Sequence, residues 1–198
     1  MTPPPTTHLL YLHGFRSSPQ STKAKQMASR LAERHPAVNF WCPQLPPSPH
    51  DAIEMIMRGI ARWPRDSMAV VGSSLGGFYA TYVTGMTRCR AVLLNPAVHP
   101  ARDLARHIGA QTQWHDPATR FYFRPEYIDE LHALDVGPLT RPERVLAIIA
   151  KGDELLDWRE MSARYPGSRI DLREGGDHAL SDFEHKHLDE VIAFLDLA

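Results

Sequence analysis

Short apolar runs alternate with amphipathic stretches of helix length from one end of the chain to the other. His8 to Leu12, Val38 to Cys42, Ser67 to Gly72, Arg90 to Asn95, Arg144 to Lys151 and Ser168 to Leu172 have the length of strands. Their unbroken Val, Ile, Leu and Ala character predicts burial on both faces, as in a parallel sheet with helices on either side. Between them, Ala24, Met27, Ala28 and Leu31 share one face of a helix that Ser18-Pro19 is predicted to start. Ser48-Pro49-His50-Asp51 repeats the device, ahead of an i, i+3, i+4, i+7 stripe at Ile53, Ile56, Met57 and Ile60. Leu188, Val191, Ile192 and Leu195 give the last helix the same spacing. Strands alternating with helices predict an α/β fold of three layers, with binding sites beyond the carboxyl ends of the strands.

Composition narrows the field without changing this picture. The 198 residues are expected to form a single domain, 1–198, with 43% hydrophobic and 23% charged residues, as in an ordinary globular protein. A formal charge of −1 supplies no positive field for nucleic acid or anionic membranes. Cys42 and Cys89 are too few for a disulfide framework and suit a reducing compartment. The longest apolar run, Val145 to Ala150, is too short to span a bilayer, and MTPPPTTH has no basic or apolar region of a signal peptide, so a cytoplasmic location is expected. Pro43 to Pro49 reads as a connecting loop. The region 97–142 is expected to be irregular and to form a partial lid.

The chemistry begins at Gly72-Ser73-Ser74-Leu75-Gly76, a Gly-x-Ser-x-Gly sequence preceded by the apolar Met68 to Val71 and followed by a helical pattern from Phe78. A serine on a sharp strand-to-helix turn has its hydroxyl lifted above the sheet, and the flanking glycines leave room for that turn. Neither the Gly-x-Gly-x-x-Gly of dinucleotide sites nor the Gly-Lys-Ser/Thr of phosphate loops is present. A serine needs a base to become a nucleophile, and in folds with this elbow the order runs serine, acid, histidine. His178 follows the last predicted strand on the flexible Gly175-Gly176-Asp177 turn, free enough to aim back at the serine. His185 and His187 are expected in the last helix, solvated, and His8, His35, His50, His99, His107, His115 and His132 lack a matching context. Asp153, just past the preceding strand, is the expected acid, with Glu154 and Asp157 as close competitors; Asp177 is badly placed beside the histidine. The oxyanion donors are expected to be the backbone amides of Leu75, after the nucleophile, and Phe15, in His13-Gly14-Phe15, which resembles the His-Gly turn of lipases and esterases. His13 is expected to brace that loop.

At these residues the chain resembles an α/β-hydrolase, and more closely the small YqiA-like esterases of bacteria. The matching pieces are LLYLHGFRSSP near the start, PQLPP at 43–47, VGSSLGGFYAT at 71–81, NPAV at 95–98, GDELLD at 152–157 and EGGDHA at 174–179. The resemblance implies a compact α/β-hydrolase fold of about six mostly parallel strands, activity on carboxylic esters, with acyl thioesters as a second class, and a triad of Ser74, Asp153 and His178. The segment 101–142 matches weakly, and with it the substrate preference. Trp114, Phe121, Tyr122, Phe123 and Tyr127 either line an acyl pocket or anchor a lid to the core, and Asn95 is expected to cap the turn before Pro96. The expected function is a serine esterase acting on a small acyl ester, with no cofactor or metal. The rival readings are an acyl-CoA thioesterase or acyltransferase on the same triad, and a non-catalytic binding protein on the same scaffold.

Overall fold

A computed structural model describes residues 4–198. In chain order the elements are β1 (His8–Leu12), α1 (Thr22–Arg34), β2 (Asn39–Trp41), α2 (Pro49–Gly59), β3 (Met68–Ser73), α3 (Leu75–Thr87), β4 (Arg90–Leu94) and α4 (Pro100–Leu104). There follow β5 (Gly109–Thr112), β6 (Arg120–Phe123), α5 (Glu126–Ala133), β7 (Val145–Ala150), α6 (Trp158–Arg164), β8 (Arg169–Arg173), α7 (Phe183–Lys186) and α8 (Leu188–Leu195). Every strand predicted from the apolar runs is present within a residue or so at each end. They form one six-stranded sheet in the order β2-β1-β3-β4-β7-β8, parallel throughout.

The period of two along each strand divides the core into two layers. Leu9 and Tyr11 of β1, Val71 of β3, Leu94 of β4 and Ile148 of β7 face α1, α7 and α8 through Met27, Leu31, Phe183, Val191 and Leu195. Leu10 and Leu12, Val70, Leu93 and Ile149 face the opposite layer, where Ile53 and Ile56 of α2, Tyr79 and Val83 of α3 and Met161 of α6 cover them. The strands between the edges are therefore apolar at nearly every position, which is why they read as continuous runs. The edge strand β8 is different: Ile170 and Leu172 stand exposed. Among the described residues, no helix is long and apolar enough to cross a membrane.

Two expectations are corrected here. The region 97–142 is not irregular: it holds α4, α5 and an antiparallel pair, β5 with β6, in register from Gly109↔Phe123 to Thr112↔Arg120. The hairpin turns on Asp116, whose carboxylate accepts from the amide of Ala118 at 3.2 Å and from the hydroxyl of Thr119 at 2.6 Å. Ser18 does not cap a helix either. Its hydroxyl accepts from the amide of Gln20 at 3.1 Å in a separate turn, and α1 starts at Thr22 after Ser21. Ser48 does cap α2 as expected, accepting from the amide of Asp51 at 3.1 Å with Pro49 in the first helical position.

Candidate active site

Ser74 sits between β3 and α3 with φ 56° and ψ −121°, a conformation that L-residues avoid and that turns its side chain out of the sheet. Neighbouring main chain holds it there. The Ser74 amide donates to Leu94 O at 3.0 Å, and Ser74 O accepts from the amides of Gly77 at 2.8 Å and Ala97 at 3.0 Å. The glycines are a packing requirement: a Cβ on Gly72 would overlap the carbonyl of Gly76, and one on Gly76 would overlap the carbonyl of Leu12. α3 therefore starts pressed against the ends of β1 and β3.

Ser74 Oγ lies 2.9 Å from His178 Nε2, and His178 Nδ1 lies 2.8 Å from Asp153 Oδ2. The Asp153 side chain has no exposed surface. Its second oxygen accepts from the amides of Leu155 at 2.8 Å and Leu156 at 2.9 Å, so the buried carboxylate has a partner on each side. The two competing acids have other work. Glu154 accepts from the amide of His178 at 2.9 Å, and Asp157 caps α6 by accepting from the amide of Arg159 at 2.8 Å. Asp177 is turned to Ser181, accepting from its amide at 2.8 Å and its hydroxyl at 2.6 Å. The three residues expected to act together are thus brought together from three separate loops, and in this order of contact the imidazole can take the hydroxyl proton while its other nitrogen is held by a carboxylate.

The amides of Leu75 and Phe15 donate to no protein acceptor among the described residues. Gly14 lies close under Ser74, where a Cβ would stand 3.2 Å from Ser74 Cβ. His13 braces the loop as expected. Its Nδ1 donates to Gly14 O at 3.0 Å and its Nε2 accepts from the amide of Leu45 at 3.1 Å, which requires the neutral ring. Burial holds its pKa below the ordinary 6.5, against the opposing pull of Gly14 O.

A cavity of about 800 Å³ opens over Ser74 and His178. Its walls come from the loop after β1, from α1, from Leu155 and Leu156, and from the α4–β5 region at Leu104, Arg106 and His107. Lys23 of α1 also reaches it, its ammonium donating to Ala179 O beside the histidine. Burial lowers the Lys23 pKa to about 8, although the Asp177 carboxylate pulls the other way.

Of these five aromatic residues, Trp114, Phe121, Tyr122, Phe123 and Tyr127, only Trp114 reaches this cavity, and Tyr127 of α5 packs edge-on against Phe123. The alternation along β6 separates the rest. Phe123 is buried in the core and Phe121 packs against it, while Tyr122 points to solvent. Phe121 and Phe123 instead meet the ring of Phe15 edge-on, with centroids 5.9 and 5.2 Å away. His185 is exposed as expected, but His187 is not: it lies buried between α7 and α8, with Nε2 3.3 Å from an Asp182 oxygen.

Asn95 does more than cap a turn. Fully buried, with φ 40°, it accepts from the amide of Ala150 at 2.8 Å and donates to the carbonyls of Asp177 at 3.0 Å and His178 at 3.2 Å. It ties the end of β4 to the end of β7 and to the histidine loop. The only sequence signal for this was its place at the end of a central strand. Away from the cavity, among the described residues, His50, Asp51 and Glu54 bring ligand atoms within 4.8 Å of one another, all exposed on α2, where Glu54 is paired with Arg58.

The same architecture is found in solved structures. Alpha/beta hydrolase domain-containing protein 10 from mouse superposes with a TM-score of 0.70 at 16% identity, over 96% of this chain and 88% of that one. Est1E from Butyrivibrio proteoclasticus, solved with ferulic acid bound, superposes with a TM-score of 0.68 at 15% identity, over 98% of this chain and 88% of the other. The fold is the three-layer α/β-hydrolase fold. By sequence, the UPF0227 protein of Yersinia pseudotuberculosis serotype O:1b is 23% identical over 190 residues, covering 94% of this chain and 97% of its own. With residues 8–196 matching the model of the uncharacterised protein family UPF0227, the chain belongs to that family.

Proposed function

We propose that this protein is a serine esterase that hydrolyses carboxylic esters through an acyl-enzyme. The observation that carries the reading is the continuous line from Ser74 Oγ through the His178 ring to the buried Asp153 carboxylate, at 2.9 and 2.8 Å, at the floor of a cavity. His178 Nε2 takes the proton of Ser74 as its oxygen attacks the acyl carbonyl. Asp153 keeps the proton of the imidazole on Nδ1 and stabilises the imidazolium that forms. The developing oxyanion is met by the amides of Leu75 and Phe15, each contributing about 3 kcal/mol to lowering the barrier. His178 then protonates the departing alkoxide, and a water molecule repeats the sequence to release the acid and restore Ser74.

The substrate is a small acyl ester entering the 800 Å³ cavity. The segment 97–142 acts as its partial lid, since Ala97, Pro100, Leu104, Arg106, His107 and Trp114 all border the cavity. The whole chain works as a single domain. The free thiols Cys42 and Cys89 agree with a cytoplasmic enzyme. The reading is tested by steady-state hydrolysis of matched short-chain oxygen esters and thioesters. Greater kcat/KM on the oxygen ester is expected. Preference for the thioester would move the assignment to a thioesterase, and turnover of neither would reject hydrolysis of acyl esters.

A further inference from the structure

The loop that supplies Phe15 is held from outside the sheet by the β5–β6 hairpin. Arg16, the next residue, sits at φ 59°, a strained conformation for a side chain with a Cβ. Three contacts hold it. Its Nε donates to Thr112 O at 2.7 Å, its Nη2 donates to Thr112 Oγ1 at 3.2 Å, and its carbonyl accepts from the amide of Trp114 at 2.8 Å. The guanidinium also lies 4.1 Å from the centre of the Trp114 ring. On the other side of the loop, the Phe15 ring is wedged among Phe121, Phe123 and His107. None of these partners belongs to the sheet that positions Ser74; all come from the segment between β4 and α5.

We propose that Arg16 is a positioning residue for the oxyanion hole, and that the β5–β6 hairpin sets the direction of the Phe15 amide through the clasp of Arg16 on Thr112 and Trp114. This rests on the esterase reading above. The physical reason is one of restraint. A short loop with a residue in the left-handed region returns to commoner conformations unless its neighbours over-determine it. His13 fixes the loop on the Leu45 side, through the bond to the Leu45 amide. Arg16 fixes it on the hairpin side. An amide that misses the oxyanion by about 1 Å costs on the order of 10²-fold in rate, while the ground-state carbonyl is little affected.

The experiment is a comparison of wild-type enzyme with Arg16→Met, Arg16→Lys and Thr112→Val on one neutral short-chain ester. Alongside it, the affinity of each for a trifluoromethyl ketone, an analogue of the tetrahedral intermediate, is measured. Met keeps an unbranched stem, with backbone preferences like those of Arg, while removing every side-chain donor. Arg16→Met is expected to lower kcat by about 10- to 100-fold with KM within about twofold, and to weaken the ketone by the same factor as kcat. Arg16→Lys recovers part of the loss. Thr112→Val, which removes only the weaker of the two side-chain bonds, gives a smaller loss of the same kind and serves if Arg16→Met does not fold. Unchanged kcat and ketone affinity in folded variants would overturn the proposal, as would a rise in KM alone, which would make Arg16 a substrate contact. Wild-type enzyme without ester turnover would refute the esterase reading instead.

Discussion

The side-chain amide of Asn95 donates to the main-chain oxygen of His178 at 3.2 Å, so a residue whose side chain has no hydrogen bond to Ser74 or Asp153 among the described residues holds the loop that carries His178. The same side chain accepts from the Ala150 amide at 2.8 Å, three residues before Asp153. One buried group thereby sets the spacing between the loops that bring Asp153 and His178 together.

Asn95→Asp keeps the shape and the acceptor but loses the donor, leaving a buried carboxylate facing the carbonyls of Asp177 and His178. A buried acceptor left unpaired costs roughly 1–3 kcal/mol, and more with charge. The expected result is a melting temperature lower by at least about 2 °C, at roughly 2–4 °C per kcal/mol for a chain of this size, with kcat reduced more than KM is changed. Equal stability and equal kcat would show that the histidine loop holds itself.

On the proposed mechanism the two acids divide by role. Asp153→Asn puts a donor or the wrong tautomer opposite His178 Nδ1 and is expected to lower kcat by a factor on the order of 10⁴. Asp157→Asn replaces one good helix cap by another at the start of α6, and turnover is expected to stay within about twofold. Steady-state kinetics of the two purified variants decides it. A loss confined to Asp157→Asn would transfer the acid role.

Stability is expected to fall on mild acidification. Burial holds the imidazoles of His13 and His187 below the ordinary 6.5, with Asp182 partly opposing this at His187. The unfolded chain binds protons at these positions near 6.5, whereas the folded chain resists until lower pH. Folding is therefore favoured fully above about pH 7 and is progressively lost as pH drops below about 6.5 toward the folded values. Urea denaturation at pH 7.5 and pH 5.5 measures it, with the lower midpoint expected at pH 5.5 and a smaller difference in His13→Gln. A midpoint that rises on acidification would contradict the neutral ring that the Gly14 and Leu45 contacts require.

Much of the sheet was legible because its inner strands are covered on both faces, leaving continuous apolar runs such as Val145 to Ala150 that no surface loop would carry. The elbow was legible because its geometry demands glycine at two fixed positions. What escaped was whatever depends on tertiary partners. Gly109–Thr112 and Arg120–Phe123 are four-residue strands, partly exposed and pairing only with each other, so no core periodicity marks them; Asp116-Pro117 was the available turn signal. The role of Asn95 comes from two loops far off in sequence. His187 is buried where the chain breaks between α7 and α8, whereas the expectation of one last helix running through His185 and His187 leaves both solvated on different faces.

The most direct measurement is covalent labelling by a fluorophosphonate, located by peptide mass spectrometry. The Ser74 hydroxyl is expected to carry the label, to lose it in Ser74→Ala and to keep it in Ser73→Ala. A label that survives in Ser74→Ala, or that resides on Ser73, would contradict the assignment of the nucleophile.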